Sequence, residues 1–338
     1  MSKVRIAING MGRIGRTLIR EYFNTDQALQ LDLVAVNNPG TADHYLHLLR
    51  YDSIHGRFNY TVKKDGDDFI INNKKIRFFH ERNPTDIPWE DLGVDIVIDA
   101  TGIFKNKGGL GMHMRGSVKK VIMCAPGTDL DATFVMGINH ESYDSKNHHI
   151  VSNASCTTNC LAPIVKVLND KFGIKNGMMT TIHSYTSDQR ILDGSHKDPR
   201  RARAAAISMI PTTTGAAKAV GLVIPELAGK LDGYAVRVPT PNVSLVDLTA
   251  NLNKNVTVEE VNQAMKQASE TYLKGILDYS DEPLVSNDYI GQRASSFFDS
   301  LLTNIVDGNM VKVVSWYDNE AAFSNRVLDL TTYIAKRL

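Results

Sequence analysis

The chain has 338 residues, of which 43% are hydrophobic and 22% charged, with a formal net charge of +1. That length suffices to bury a sizeable core and suits two domains, while the near-neutral charge gives no global attraction to nucleic acid or to an acidic membrane surface. No apolar run approaches the roughly 18 residues of a membrane span, and the three cysteines, Cys124, Cys156 and Cys160, form an odd set that fits a reducing cytoplasm rather than a disulfide framework.

The first residues enter a strand pattern directly, without the charged, apolar and cleavage regions of a signal peptide. Residues 3–9 read as a buried strand. Gly10-Met11-Gly12-Arg13-Ile14-Gly15 follows, and then an amphipathic helix to about residue 23. Glycines in this strand-to-helix context allow a tight turn and the close approach of a pyrophosphate, whose charge meets the helix N-terminus. A second strand, residues 31–36, ends at Asn37-Asn38, where the adenosine ribose should lie. An acidic side chain there would bind the 2′-hydroxyl and repel a 2′-phosphate; Asn38 carries no such charge. Further strands are expected at 69–71, 75–79, 94–99 and 118–123. Ala100-Thr101-Gly102 and Cys124 stand at strand ends where a cofactor should pass. Strands alternating with helices predict a parallel sheet with ligands at its carboxyl ends.

The second half opens on Ser155-Cys156-Thr157-Thr158-Asn159-Cys160. An apolar run precedes it, and Leu161, Ile164, Val165 and Leu168 follow at helical spacing. This places Cys156 at a helix start, where free N–H groups and the helix dipole stabilise a thiolate. A small buried residue at a cap gives the same local pattern. Residues 178–182 form a strand leading to His183-Ser184-Tyr185-Thr186, so His183 becomes a base and ion-pair partner for the cysteine. The basic segment 196–203 reads as a solvated loop or subunit contact. Residues 211–217, with Thr214 and Gly215, form a hydroxyl-rich loop before a helix, suited to an anion. Arg237, between apolar neighbours, fits either a structural ion pair or a phosphate clamp. Strands are expected at 243–252 and 310–316. Thr257 and Glu260 form a capping box, and Asp318 or Asn319 caps a last helix to about residue 336. The spacing of Cys156 and Cys160 completes no metal pattern.

Taken together, residues 9–16, 51–56, 155–160, 237–244 and 315–320 closely resemble phosphorylating glyceraldehyde-3-phosphate dehydrogenases of type I. The resemblance implies an α/β fold: an NAD-binding Rossmann domain of residues 1–154 and 319–338, and an α+β catalytic domain with a mixed sheet at 155–318. It also implies a cytoplasmic homotetramer acting in glycolysis. Position by position, Cys156 matches the nucleophile and His183 the base. Gly10, Gly12, Arg13, Ile14, Asn38, Arg82, Thr101, Cys124 and Asn319 fall at cofactor positions. Ser155, Thr157, Thr186, Thr214, Gly215 and Arg237 fall at substrate or inorganic-phosphate positions. The expected substrates are D-glyceraldehyde 3-phosphate and phosphate, with no membrane or primary nucleic-acid role.

Asn38, where aspartate is usual in NAD-specific members, and Gly194-Ser195, where leucine–proline is common, imply tolerance of NADP beside NAD. Ala322 and Phe323 replace the glycine and tyrosine often found there. The alternatives are erythrose-4-phosphate dehydrogenase, which keeps the cysteine chemistry but hydrolyses the thioester, and a chain that acts mainly by binding.

Overall fold

The glycine-rich turn forms as the sequence pattern requires. In the computed structural model, which describes residues 3–338, β1 (Val4–Asn9) leads through Gly10 into α1 (Arg13–Asn24). The chain divides into two units. One contains the chain up to Phe134, His140–Ala154 and Ser324–Leu338; the other contains Val135–Asn139 and Ser155–Phe323.

The first unit is built on a nine-stranded sheet. After β1 come α2 (Gln27–Gln30), β2 (Leu31–Asn37), α3 (Ala42–Arg50) and a small ribbon of β3 (Tyr51–Asp52) and β4 (Gly56–Arg57). Then follow β5 (Val62–Asp65), β6 (Asp68–Ile71), β7 (Lys74–Phe79), β8 (Ile96–Asp99), α4 (Lys107–Gly111), β9 (Lys120–Met123), β10 (Ala132–Thr133) and β11 (Ile150–Ser152). The strand order is β10-β11-β9-β8-β1-β2-β7-β6-β5. From β10 to β7 every pairing is parallel. The β5–β6 and β6–β7 pairings are antiparallel, so the expected alternation of strand and helix breaks here. The cause is local: Asn72 and Asn73 have φ of 48° and 63°, and asparagine tolerates the left-handed conformation of a two-residue hairpin turn. Ala7, Ala35, Val97, Val121 and Trp89 belong to the core of this sheet.

The second unit begins with α5 (Cys156–Phe172) and β12 (Ile174–Ser184). It continues with β13 (Ile210–Thr213), α6 (Ala216–Val223), β14 (Leu231–Val238), β15 (Ser244–Leu252), α7 (Val258–Glu270), β16 (Leu277–Ser280), β17 (Ser296–Val306) and β18 (Met310–Tyr317). The seven strands run β13-β14-β12-β15-β18-β17-β16 in a mixed sheet, parallel only at β12–β14 and β16–β17. The capping box of α7 forms in both directions, with Glu260 N–H on Thr257 Oγ1 at 3.2 Å and Thr257 N–H on Glu260 Oε2 at 2.8 Å. The last helix, α8 (Ala321–Ala335), is started by Asp318, whose Oδ1 accepts the N–H groups of Glu320 and Ala321 at 2.8 and 2.9 Å. Asn319 is thereby left for another task.

Candidate active site

Ser155 caps α5, its Oγ accepting the Thr158 N–H at 3.0 Å, and this makes Cys156 the first helical residue. The turn into the helix passes through Ala154, at φ 56°. His183 comes from the end of β12. Its Nε2 lies 3.6 Å from Cys156 Sγ. Because β12 and β14 are parallel neighbours, His183 pairs in register with Arg237. Arg237 Nη1 sits 2.7 Å from His183 Nδ1 and donates to the Ser184 carbonyl at 3.0 Å. The Ser184 carbonyl is also 2.7 Å from His183 Nδ1. The two neighbours make opposite demands on Nδ1: the carbonyl, which can only accept, favours a proton there, and the guanidinium, which can only donate, favours a lone pair.

Burial and the Arg237 charge hold His183 far below its ordinary pKa, at about 3, against the pull of the Ser184 carbonyl. Burial also raises the Cys156 thiol, opposed by Arg237 and by hydrogen bonds from Thr157. In this arrangement burial works against the charged form of each group, while Arg237 and Thr157 favour the thiolate. Tyr317 underlies them, with its ring edge-on to His183 at 5.9 Å and its hydroxyl bonded to Thr157 Oγ1 at 2.8 Å and Thr181 Oγ1 at 3.0 Å. The Thr157 hydroxyl thus faces inward.

The anion candidates are spread more widely. Thr186 donates its N–H to Gln189 Oε1 at 2.8 Å. Thr214 Oγ1 accepts the Ala216 N–H at 3.2 Å, and Gly215 precedes α6. Among the described residues, no hydrogen bond joins Thr214 or Gly215 to Cys156, His183 or Arg237. Arg201, one of several cations in the basic segment 196–203, ties this region together. It bonds Asp188 at 2.5 Å, Thr212 Oγ1 at 2.7 Å and the Thr213 carbonyl at 3.2 Å. Its charge, with that of Asp188, is felt at Arg237. Residue type alone could not separate it from Arg200 and Arg203.

The nucleotide candidates except Asn319 lie in the first unit. Gly10 has φ +101°, and a Cβ there would come 2.8 Å from the Thr101 nitrogen; a Cβ on Gly15 would come 1.8 Å from the Gly10 carbonyl oxygen. A Cβ on Gly12 would meet nothing within 4 Å, so the start of α1 is open as a pyrophosphate needs. Asn38 Oδ1 accepts the Met11 N–H at 2.9 Å and its amide bonds the Tyr45 hydroxyl, which fastens the ribose end to the glycine turn. These residues fit a dinucleotide. Arg13, beside Ile14, is bidentate on Asp52 at 2.7 and 3.1 Å. The Asp52 pKa is about 2: burial pushes it up, but the His55 N–H, Arg13 and the Ile54 N–H outweigh it. Arg82 is exposed in the loop after β7.

At the strand ends lies a buried network that sequence did not suggest. Asn37 bonds Asn9 at 2.8 Å, Asn9 bonds Asp99 at 2.9 Å, and Asp99 Oδ1 accepts the Thr101 hydroxyl at 2.7 Å. Trp89 Nε1–H donates to His113 Nδ1 at 3.1 Å, turning the other ring nitrogen toward Asp99. Cys124 follows β9; burial, with Asp99 adding to it, pushes its thiol well up. Burial likewise takes Cys160 to about 12, so neither is an activated thiol. Among the described residues no group of side chains suits a metal ion, and no helix is long and apolar enough to cross a membrane.

Comparison with known proteins agrees with this division of labour. Residues 4–107 match the NAD binding domain of glyceraldehyde 3-phosphate dehydrogenase, and residues 155–319 match its C-terminal domain. Glyceraldehyde-3-phosphate dehydrogenase 1 of Bacillus cereus is 59% identical over 333 residues, covering 98% of this chain and 99% of the relative. The enzyme of Geobacillus stearothermophilus is 57% identical over 334 residues, and glyceraldehyde-3-phosphate dehydrogenase 2 of Trichormus variabilis 54% over 335, each covering 99% of both chains. The chain belongs to the glyceraldehyde-3-phosphate dehydrogenase family.

Proposed function

We propose that the protein converts D-glyceraldehyde 3-phosphate, NAD and inorganic phosphate to 1,3-bisphosphoglycerate in glycolysis, through an acyl group carried on Cys156. The observation that carries this reading is the cysteine at the start of α5 with an imidazole nitrogen 3.6 Å from its sulfur. His183 Nε2 takes the thiol proton as Sγ adds to the aldehyde carbon. The oxyanion that forms is met by the N–H groups of the helix start and by the new imidazolium. Proton return to that oxygen gives the thiohemiacetal and restores the base. NAD, when bound by the glycine turn, Arg13, Ile14, Asn38, Arg82, Thr101, Cys124 and Asn319, supplies the hydride acceptor. His183 removes the hydroxyl proton as the carbon is oxidised to the thioester. A phosphate oxygen then attacks the thioester carbon, the C–S bond breaks, and Cys156 leaves as a thiolate that is reprotonated.

Arg237 and Thr186 hold the substrate phosphate, and Ser155, Thr214 and Gly215 the attacking one. Thr157 is assigned to the attacking phosphate as well, with its hydroxyl bonded to Tyr317 at 2.8 Å. NADP is tolerated, since Asn38 offers no charge against a 2′-phosphate. A cytoplasmic homotetramer is the assembly we assign. The test is the initial rate of substrate oxidation with NAD and with NADP, each with and without phosphate. The reading expects turnover that requires phosphate; equal rates without it would replace phosphorolysis by hydrolysis, and no oxidation would leave a binding role.

A further inference from the structure

We infer that Ser244 is a positioning residue that fixes the orientation of the Asn319 side-chain amide toward the nicotinamide carboxamide; the inference rests on the role proposed for Asn319. Ser244 is the first residue of β15 and is 1% exposed. It pairs across the sheet with Tyr317, two residues before Asn319. Its Oγ accepts the Ser184 N–H at 3.0 Å and donates its own proton to Asn319 Oδ1 at 2.9 Å. A serine hydroxyl has one proton to give, and here the carbonyl end of the asparagine takes it. The amide end is thereby turned the other way. Asn319 makes no other hydrogen bond among the described residues, so Nδ2–H is available to an external carbonyl such as that of a carboxamide.

The backbone around Ser244 is held at some expense. Val243 has φ +67°, a left-handed conformation that a β-branched residue rarely adopts. Its carbonyl accepts the Ser184 hydroxyl at 2.7 Å. Ser184 therefore grips this corner twice, once at Val243 and once at Ser244, and the grip aims the Ser244 hydroxyl. Without that hydroxyl both flips of the Asn319 amide are open, and the wrong one sets an oxygen against the carboxamide oxygen. One neutral hydrogen bond supports a bias of roughly 3- to 10-fold between the flips.

The experiment is equilibrium NAD binding by calorimetry to the wild type, Ser244→Ala, Asn319→Ala and the double variant. Alongside it, the pH profile of Cys156 alkylation by iodoacetamide is recorded without cofactor. We expect Ser244→Ala to weaken NAD by roughly 3- to 10-fold, the double variant to bind no more weakly than Asn319→Ala, and the alkylation profile of Ser244→Ala to overlay the wild type. Unchanged affinity in Ser244→Ala with weakened affinity in Asn319→Ala overturns the inference. So do multiplying effects, or a moved alkylation profile with unmoved affinity, which would assign Ser244 to the histidine strand. Unchanged affinity in Asn319→Ala refutes the role of Asn319 itself, and the inference falls with it. Ser244→Cys, similar in size with a weak donor, carries the same expectation at smaller amplitude if Ser244→Ala does not fold.

Discussion

Replacing Arg237 with methionine is expected to return part of the lost basicity of His183. Arg237 Nη1 is 2.7 Å from His183 Nδ1. Two like charges about 4 Å apart repel by about 4 kcal/mol at an effective dielectric constant near 20, which is about 3 pKa units. That is nearly the whole fall of His183 from 6.5 to about 3, yet burial is the larger cause of it. The guanidinium therefore supplies the smaller part of the total lowering, which the Ser184 carbonyl partly offsets. In Arg237→Met, His183 should protonate at a higher pH than in the wild type, still below its ordinary value because burial remains. The assay is an NMR titration of the histidine Cε1–H resonances, with His183→Asn identifying the peak among the 10 histidines. A wild-type His183 that titrates near 6.5, or a variant in which it does not move upward, would refute the reasoning. The same shift fixes a sign for stability. The folded pKa lies below the unfolded one, so between about 3 and 6.5 the unfolded chain binds more protons. The contribution of His183 is complete above 6.5 and falls by up to about 1.4 kcal/mol per pH unit below it.

Cys156→Ser should lose turnover while keeping NAD affinity, and His183→Asn should slow acylation by about 10²–10⁴-fold, measured as the single-turnover rate; a His183→Asn enzyme within tenfold of wild type would remove the imidazole from the base role. Gly12→Ala should melt at the wild-type temperature yet bind NAD poorly, because its methyl group enters only the open cradle. Gly15→Ala should lose stability as well, since its Cβ would be 1.8 Å from a backbone oxygen; equal melting temperatures would contradict the steric account. Asn38→Asp should raise the preference for NAD over NADP in kcat/KM. A wild-type preference already above about 10³, or about 4 kcal/mol, would contradict the proposed tolerance.

Local chemistry was readable where one residue type does one job. Gly10 and Gly15 are glycines because a Cβ would strike backbone, and their spacing after an apolar strand is enough to announce the turn. Cys156 was legible because a helix start can be recognised from its cap and its apolar spacing. The charge beside the base was not: Arg237 is 54 residues from His183 in sequence and is brought to it only by the parallel β12–β14 register. Arg201 was hidden for the same reason, being one of several cations until the fold set it against Asp188 and Thr212. The strands at 69–71 and 75–79 were legible, but their antiparallel pairing was not, because Asn72-Asn73 is a weaker turn signal than glycine, although both residues adopt the left-handed conformation. The Asn9–Asp99–His113 network joins side chains from separate elements, and no periodicity reports such a meeting.

The central claim is that phosphate releases an acyl group from Cys156. The direct measurement mixes enzyme, D-glyceraldehyde 3-phosphate and NAD without phosphate, quenches in acid, and weighs the intact chain while NADH is followed. The account predicts one NADH per active site, an acyl adduct that maps to Cys156, and discharge of that adduct with onset of turnover when phosphate is added. Sustained NADH production without phosphate and without an adduct on Cys156 would contradict it.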